Sequence, residues 1–89
     1  MHVEMYSLIR QISGERTLEV SALNVKEALQ CLQERYGEEF QSKVYHPQRG
    51  LADGVNIILK GKNIQVLQGL DTPLEETDTL ALFYSIEGG

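Results

Sequence analysis

The chain closes on "FYSIEGG", Phe83 to Gly89, and the reactive group this end presents is a carboxylate behind two residues without side chains. A terminal carboxylate has a pKa of about 3.3–3.7, so near neutral pH it is ionised, and it is inert until activated. Its attack on the α-phosphorus of ATP would expel pyrophosphate and give an acyl-adenylate. A sulfur nucleophile would then displace AMP to leave a thiocarboxylate or thioester, and an amine would leave an amide. To reach another protein's active site the tail must thread a narrow channel. Glycine at the last two positions removes the side chains that would obstruct it and permits unusual backbone angles. Gly89 is thus the candidate modified residue and Gly88 the clearance behind it, with Ile86 and Glu87 placed to touch the channel walls. At average glycine usage a terminal pair arises by chance in roughly one chain in 200, a moderate signal alone.

Other chemistry is missing. His2 and His46 lie far apart and Cys31 is the single cysteine, so no metal-ligand or Cys–His spacing exists. "KGKN", residues 60–63, has no Gly-rich loop leading into a helix and is no phosphate cradle. Cys31 reads as a bystander on a helix flank, His46 before Pro47 as a loop residue. Glu75, Glu76 and Asp78 read as a solvated acidic turn. No cofactor is expected to be bound stably, no metal, and no self-contained active site. The expected role is that of a carrier or co-substrate, with ATP used by a partner.

The net charge of -5 argues against nucleic acid. Its distribution is uneven: Lys60 and Lys62 are the last basic residues, and Asp71, Glu75, Glu76, Asp78 and Glu87 follow them. All eight basic residues and the other eight acidic ones precede Asn63, so the formal charge resides in the C-terminal third. This is either a solvated acidic loop or a shoulder steered toward a basic cleft on a partner. No apolar stretch approaches the roughly 20 residues of a membrane span. The start lacks the basic and apolar regions of a secretory signal, and one cysteine suits a reducing compartment. The expectation is a single domain over 1–89, cytoplasmic, with a flexible tail over about 87–89.

The elements that must position this tail are legible in part. Val3–Ile12 is rich in strand-forming residues and closes at Ser13-Gly14-Glu15, and "TLEVS" alternates behind it, so the pair reads as a hairpin. "NVKEALQCLQERYG" predicts a helix. Asn24 is the N-cap with Glu27 three residues on, and Gly37 is the stop. Val25, Ala28, Leu29, Leu32 and Tyr36 share one face. Residues 40–54 are least readable, with "KVYH" a possible short strand. "VNIILK" is a strand, "GKN" a turn and "IQVL" a partner strand. "LDTPLEETD" is a turn or one short helical turn, and "TLALFYSI" the last strand. The order predicts an α+β sheet of about five strands with one main helix on one face. Alternation sends Leu80, Leu82, Tyr84 and Ile86 to one side of the last strand and Ala81, Phe83 and Ser85 to the other. An apolar patch on the uncovered face is then a candidate docking surface.

On these residues the chain resembles the β-grasp, ubiquitin-like sulfur carriers of the MoaD/ThiS type, most nearly the small subunit of molybdopterin synthase. The resemblance is carried by "IRQISG", "NVKEALQCL", "LDTPLEETDTLALF" and the terminal "GG", and covers most of the chain except about residues 40–54. It implies a carrier whose Gly89 is adenylated by a ubiquitin-activating-type adenylyltransferase and converted to a thiocarboxylate. That group donates sulfur in a larger catalytic subunit of molybdopterin synthase or in another acceptor enzyme. The family's aromatic residue on the last strand corresponds to Phe83 and its apolar residue before the glycine pair to Ile86, both partner contacts. The family also usually has a proline-containing stretch where Tyr84 and Ser85 stand here, and Phe40–Gly54 is long. A modifier joined through Gly89 to target lysines would look nearly the same.

Overall fold

A computed structural model describes residues 1–46 and 50–85. Its elements are β1 (His2–Met5), α1 (Ser7–Ser13), β2 (Thr17–Glu19), α2 (Val25–Tyr36), α3 (Glu38–Val44), β3 (Tyr45–His46), β4 (Gly50–Leu51), β5 (Val55–Leu59), β6 (Lys62–Asn63) and β7 (Thr79–Tyr84). Short 3-10 turns cover Ile64–Val66 and Gly69–Asp71. The main sheet has five strands in the order β2-β1-β7-β5-β6; β3 and β4 form a separate two-stranded ribbon. β1 and β7 are parallel at the centre, and every other pairing in the sheet is antiparallel. This is the mixed α+β sheet of the β-grasp, with helices on one face.

Strand alternation builds the core. Val3 and Met5 on β1, Val55, Ile57 and Leu59 on β5, and Leu80 and Leu82 on β7 are all buried. They pack against Ile9 of α1, Ala28, Leu29 and Leu32 of α2, and Phe40 and Val44 of α3 in one cluster. The α2 prediction holds at both ends. The Asn24 side chain accepts a hydrogen bond from the Glu27 amide at 2.9 Å. The Glu27 carboxylate accepts from the Leu23 amide at 2.9 Å, a close variant of the capping box. At the other end the Gly37 N–H reaches the Gln33 carbonyl.

Several expectations are corrected. The first strand stops at Met5 and residues 7–13 are helical, so β1 and β2 pair but are joined through α1 and not by a tight turn. Ile9 and Ile12 turn inward at a spacing of three, and Gly14 ends the helix in the left-handed conformation. "KVYH" is divided: Lys43 and Val44 end α3, and Tyr45–His46 form the short strand β3, so α1 and α3 join the one main helix expected, α2, among the described residues. His46 accordingly lies in a strand rather than a loop. "IQVL" forms no partner strand: on the side away from β7, β5 pairs with Lys62–Asn63, and the chain then turns into a 3-10 segment whose Ile64 plugs the core. The acidic turn is not wholly solvated either. Asp78 is buried and its Oδ2 accepts from the Glu75 amide at 2.8 Å, while Lys60 Nζ lies 3.6 Å from its other oxygen. Glu75 and Glu76 remain exposed.

Candidate functional site

The tail predicted to carry the chemistry leaves from the end of β7. Ile86, Glu87, Gly88 and Gly89 lie outside the described residues, whereas the strand that launches them is described through Ser85. That strand is held on both sides. Toward β1, the Tyr6 amide donates to the Leu82 carbonyl at 3.0 Å. One residue pair further on, the Ser7 hydroxyl accepts from the Tyr84 amide at 3.0 Å and donates to the Tyr84 carbonyl at 3.3 Å. Toward β5, the Ser85 amide donates to the Gly54 carbonyl at 2.7 Å, and the Asn56 side-chain amide donates to the same carbonyl at 3.0 Å. Gly54 has φ +91°, and a Cβ there would stand 2.8 Å from the Ser85 carbonyl oxygen and 3.2 Å from the Tyr84 ring. Only glycine allows the two backbones to meet this closely.

Beside this root lies the face of the sheet opposite the core, which none of the described helices covers. Register places Glu4 of β1 next to Ala81 of β7 and Ala81 next to Ile58 of β5, while Phe83 stands beside Asn56. These residues share the face opposite the core, because Leu80, Leu82, Ile57 and Leu59 point inward. Ile58, Ala81 and Phe83 are half-buried and form an apolar strip leading toward the tail, with Glu4 and Asn56 at its borders. The expectation that apolar side chains of β7 face away from the helices therefore holds for Ala81 and Phe83. Tyr84 points the other way and packs against the core. Tyr6, exposed at the end of β1, donates its hydroxyl to Glu4 at 2.9 Å, and this hydrogen bond raises the Tyr6 pKa.

The remaining reactive side chains are dispersed. Cys31 is partly covered on α2, and no group of three or more His, Cys, Asp or Glu able to hold a metal occurs among the described residues. The most connected polar group is structural. Arg35 grips Glu15 through two nitrogens at 2.8 and 3.2 Å, and the Tyr36 hydroxyl donates to Glu15 at 2.7 Å. The guanidinium and then the phenol hold the Glu15 carboxyl below its ordinary range. Burial, followed by the Glu15 hydrogen bond, pushes Tyr36 up to about 12. This trio ties the α1–β2 loop to the end of α2, and sequence reading did not single it out, since its members are 20 residues apart. Ser7 and Gly54 were missed for the same reason: their significance appears only where three distant segments converge. No helix among the described residues is long and apolar enough to cross a membrane.

The comparisons agree with this geometry. The model of the ThiS family matches residues 3–89. The chain belongs to the ThiS family, among the ubiquitin-like sulfur carriers and modifiers. The solution structure of small archaeal modifier protein 1 (SAMP1) from Methanosarcina acetivorans is similar with a TM-score of 0.84 at 25% identity, over 99% of this chain and 94% of that one. A chain in the crystal structure of the Amycolatopsis orientalis BexX/CysO complex has a TM-score of 0.83 at 19% identity, over 99% and 98%. Urm1 from Trypanosoma brucei has a TM-score of 0.78 at 18% identity, over 99% and 93%. A comparison with curated protein sequences gives no match.

Proposed function

We propose that the protein is a sulfur carrier whose Gly89 carboxylate is adenylated and then converted to a thiocarboxylate. The observation that carries the reading is the ThiS-family match, which runs through the terminal Gly88-Gly89 pair. In the first step the carboxylate oxygen bonds to the α-phosphorus of ATP and the bond to pyrophosphate breaks. In the second, a hydrosulfide-equivalent sulfur attacks the acyl carbon, AMP leaves, and one carboxylate oxygen has been exchanged for sulfur. Neither step is catalysed by this chain. ATP and the nucleophile are handled in the site of a ubiquitin-activating-type adenylyltransferase, and this protein supplies a clear, correctly aimed tail. Phe83 and the strip beside it, with Ile86 and Glu87 behind the glycines, meet the partner; the acidic C-terminal third favours a basic channel. The acceptor we favour is the precursor of a molybdenum- or tungsten-binding pterin, reached in the larger subunit of molybdopterin synthase, and the setting is the cytoplasm.

The likeness to a protein named as a small archaeal modifier favours a second reading, in which the activated Gly89 forms an isopeptide bond with lysines of target proteins. Intact mass measurement after incubation with ATP, a sulfur donor and host lysate separates the two. Replacement of one oxygen by sulfur, absent when Gly89 is deleted, is the expected result. Adducts surviving denaturant and reductant would favour the modifier. An unchanged mass, with Gly89 dispensable in the host, would overturn both.

A further inference from the structure

We propose that Ser7 and Gly54 form a two-sided clamp on the tail root, and that Ser7 is a positioning residue for the reaction at Gly89. The functional half of this proposal rests on the carrier reading; the clamp itself does not. In a parallel ladder, the bond from the Tyr6 amide to Leu82 would be followed by one from the Tyr84 amide to the Tyr6 carbonyl. That carbonyl is already engaged, because it accepts from the Arg10 amide at 3.2 Å where α1 begins. The chain leaves the sheet at Tyr6, and the Tyr84 N–H is left without its ladder acceptor. The Ser7 hydroxyl takes the vacant place and binds both the N–H and the C=O of Tyr84. To do so Ser7 adopts φ +50°, a conformation that residues other than glycine rarely take. On the opposite flank the Gly54 carbonyl takes the Ser85 N–H. Strand ends ordinarily fray, whereas here the Tyr84 amide that ends β7 and the Ser85 amide just past it are both captured.

The consequence is a defined launching point. With the clamp closed the chain is held through Ser85, and the four residues that follow in sequence can span at most about 14 Å. With it open, six residues span about 20 Å and leave in any direction. A reacting carboxylate must meet the phosphorus in line, so loss of aim should appear in kcat more than in KM.

The test uses the full chain with Ser7→Ala and Ser7→Gly, the latter relieving the positive φ while still lacking the hydroxyl. Amide hydrogen exchange should speed up at Tyr84 by about five- to tenfold in both, the loss of one hydrogen bond's protection, with Val3 and Leu82 unchanged. Sulfur loading of Gly89 by ATP, sulfur donor and the host's adenylyltransferase should lose kcat with KM preserved. Tyr84→Pro removes the amide but keeps the carbonyl that Ser7 also binds, so adding Ser7→Ala to it should cost less kcat than Ser7→Ala costs alone. Unchanged exchange at Tyr84 overturns the clamp. Faster exchange with unchanged kcat, or an undiminished Ser7→Ala effect in the Tyr84→Pro background, overturns the positioning role. If the wild type takes up no sulfur, the carrier reading and the positioning role fall together, and exchange at Tyr84 and Ser85 still decides the clamp.

Discussion

Replacing Gly54 by alanine tests how far the close approach at the tail root stabilises the fold, and Gly61 provides its control. Both glycines have positive φ, +91° and +80°, but a Cβ on Gly61 would meet nothing within 4 Å. Placing an L-residue in such a conformation costs about 1–2 kcal/mol, partly offset by about 0.4–1 kcal/mol from the stiffer unfolded chain. Gly61→Ala should therefore lose about 1 kcal/mol or less. At Gly54 the new Cβ would lie 2.8 Å from the Ser85 carbonyl oxygen, a backbone atom that cannot swing aside like a flexible side chain. The end of β7 must back away, which gives up the Ser85–Gly54 hydrogen bond, worth about 1 kcal/mol. The Tyr84 ring, 3.2 Å from the same Cβ, must shift too, at a further cost of about 1 kcal/mol. The total of about 2–4 kcal/mol is a large share of the 5–15 kcal/mol typical of a domain. At about 4–8 °C per kcal/mol for a chain of this size, Gly54→Ala should lower the Tm by roughly 8–32 °C and Gly61→Ala by about 8 °C or less. Thermal unfolding followed by circular dichroism measures both. Equal melting temperatures for the two variants would show that the contact between Gly54 and the β7 end does not hold in solution.

Two further outcomes follow from the surface and the polar trio. Phe83→Asp places a charge at the tail end of the apolar strip but outside the core, so the melting temperature should change little, while KM for activation or transfer should rise about tenfold or more; an unchanged KM would remove this face from the interface. For the trio, the raised Tyr36 pKa means that its stabilising contribution is complete below the ordinary value of 10.0 and is lost as the pH climbs through about 12. The lowered Glu15 pKa works in the opposite sense, contributing above the ordinary value of 4.5 and fading as the pH falls through its folded value. Glu15→Gln should bring Tyr36 down, read as the absorbance titration that Tyr36→Phe abolishes, and an unmoved titration would mean the hydrogen bond is not formed.

The amino-acid sequence by itself determined the features that arise within one element. α2 was legible because its cap, apolar stripe and stop all lie within Asn24–Gly37, and local hydrogen bonding with helical spacing suffices to specify them. β5 and β7 were legible as strands, and alternation on β7 separated Ala81 and Phe83 from Leu80, Leu82 and Tyr84, although which set faced outward was decided by the fold. The terminal glycine pair is read from the sequence alone, and the chemistry proposed for it starts from that pair. Tertiary structure decided the rest. In Ser7–Ser13 and Glu38–Val44, short segments with few apolar positions carry weak periodicity, and their helical state follows from where Ile9, Phe40 and Val44 must point to complete the core. Asp78 looked solvated until the fold folded its turn inward around the Glu75 amide. The hold on the tail root was beyond any reading of the sequence. Ser7 is 77 residues from Tyr84, and a hydroxyl becomes the missing rung of a ladder only after β1, β5 and β7 have come together.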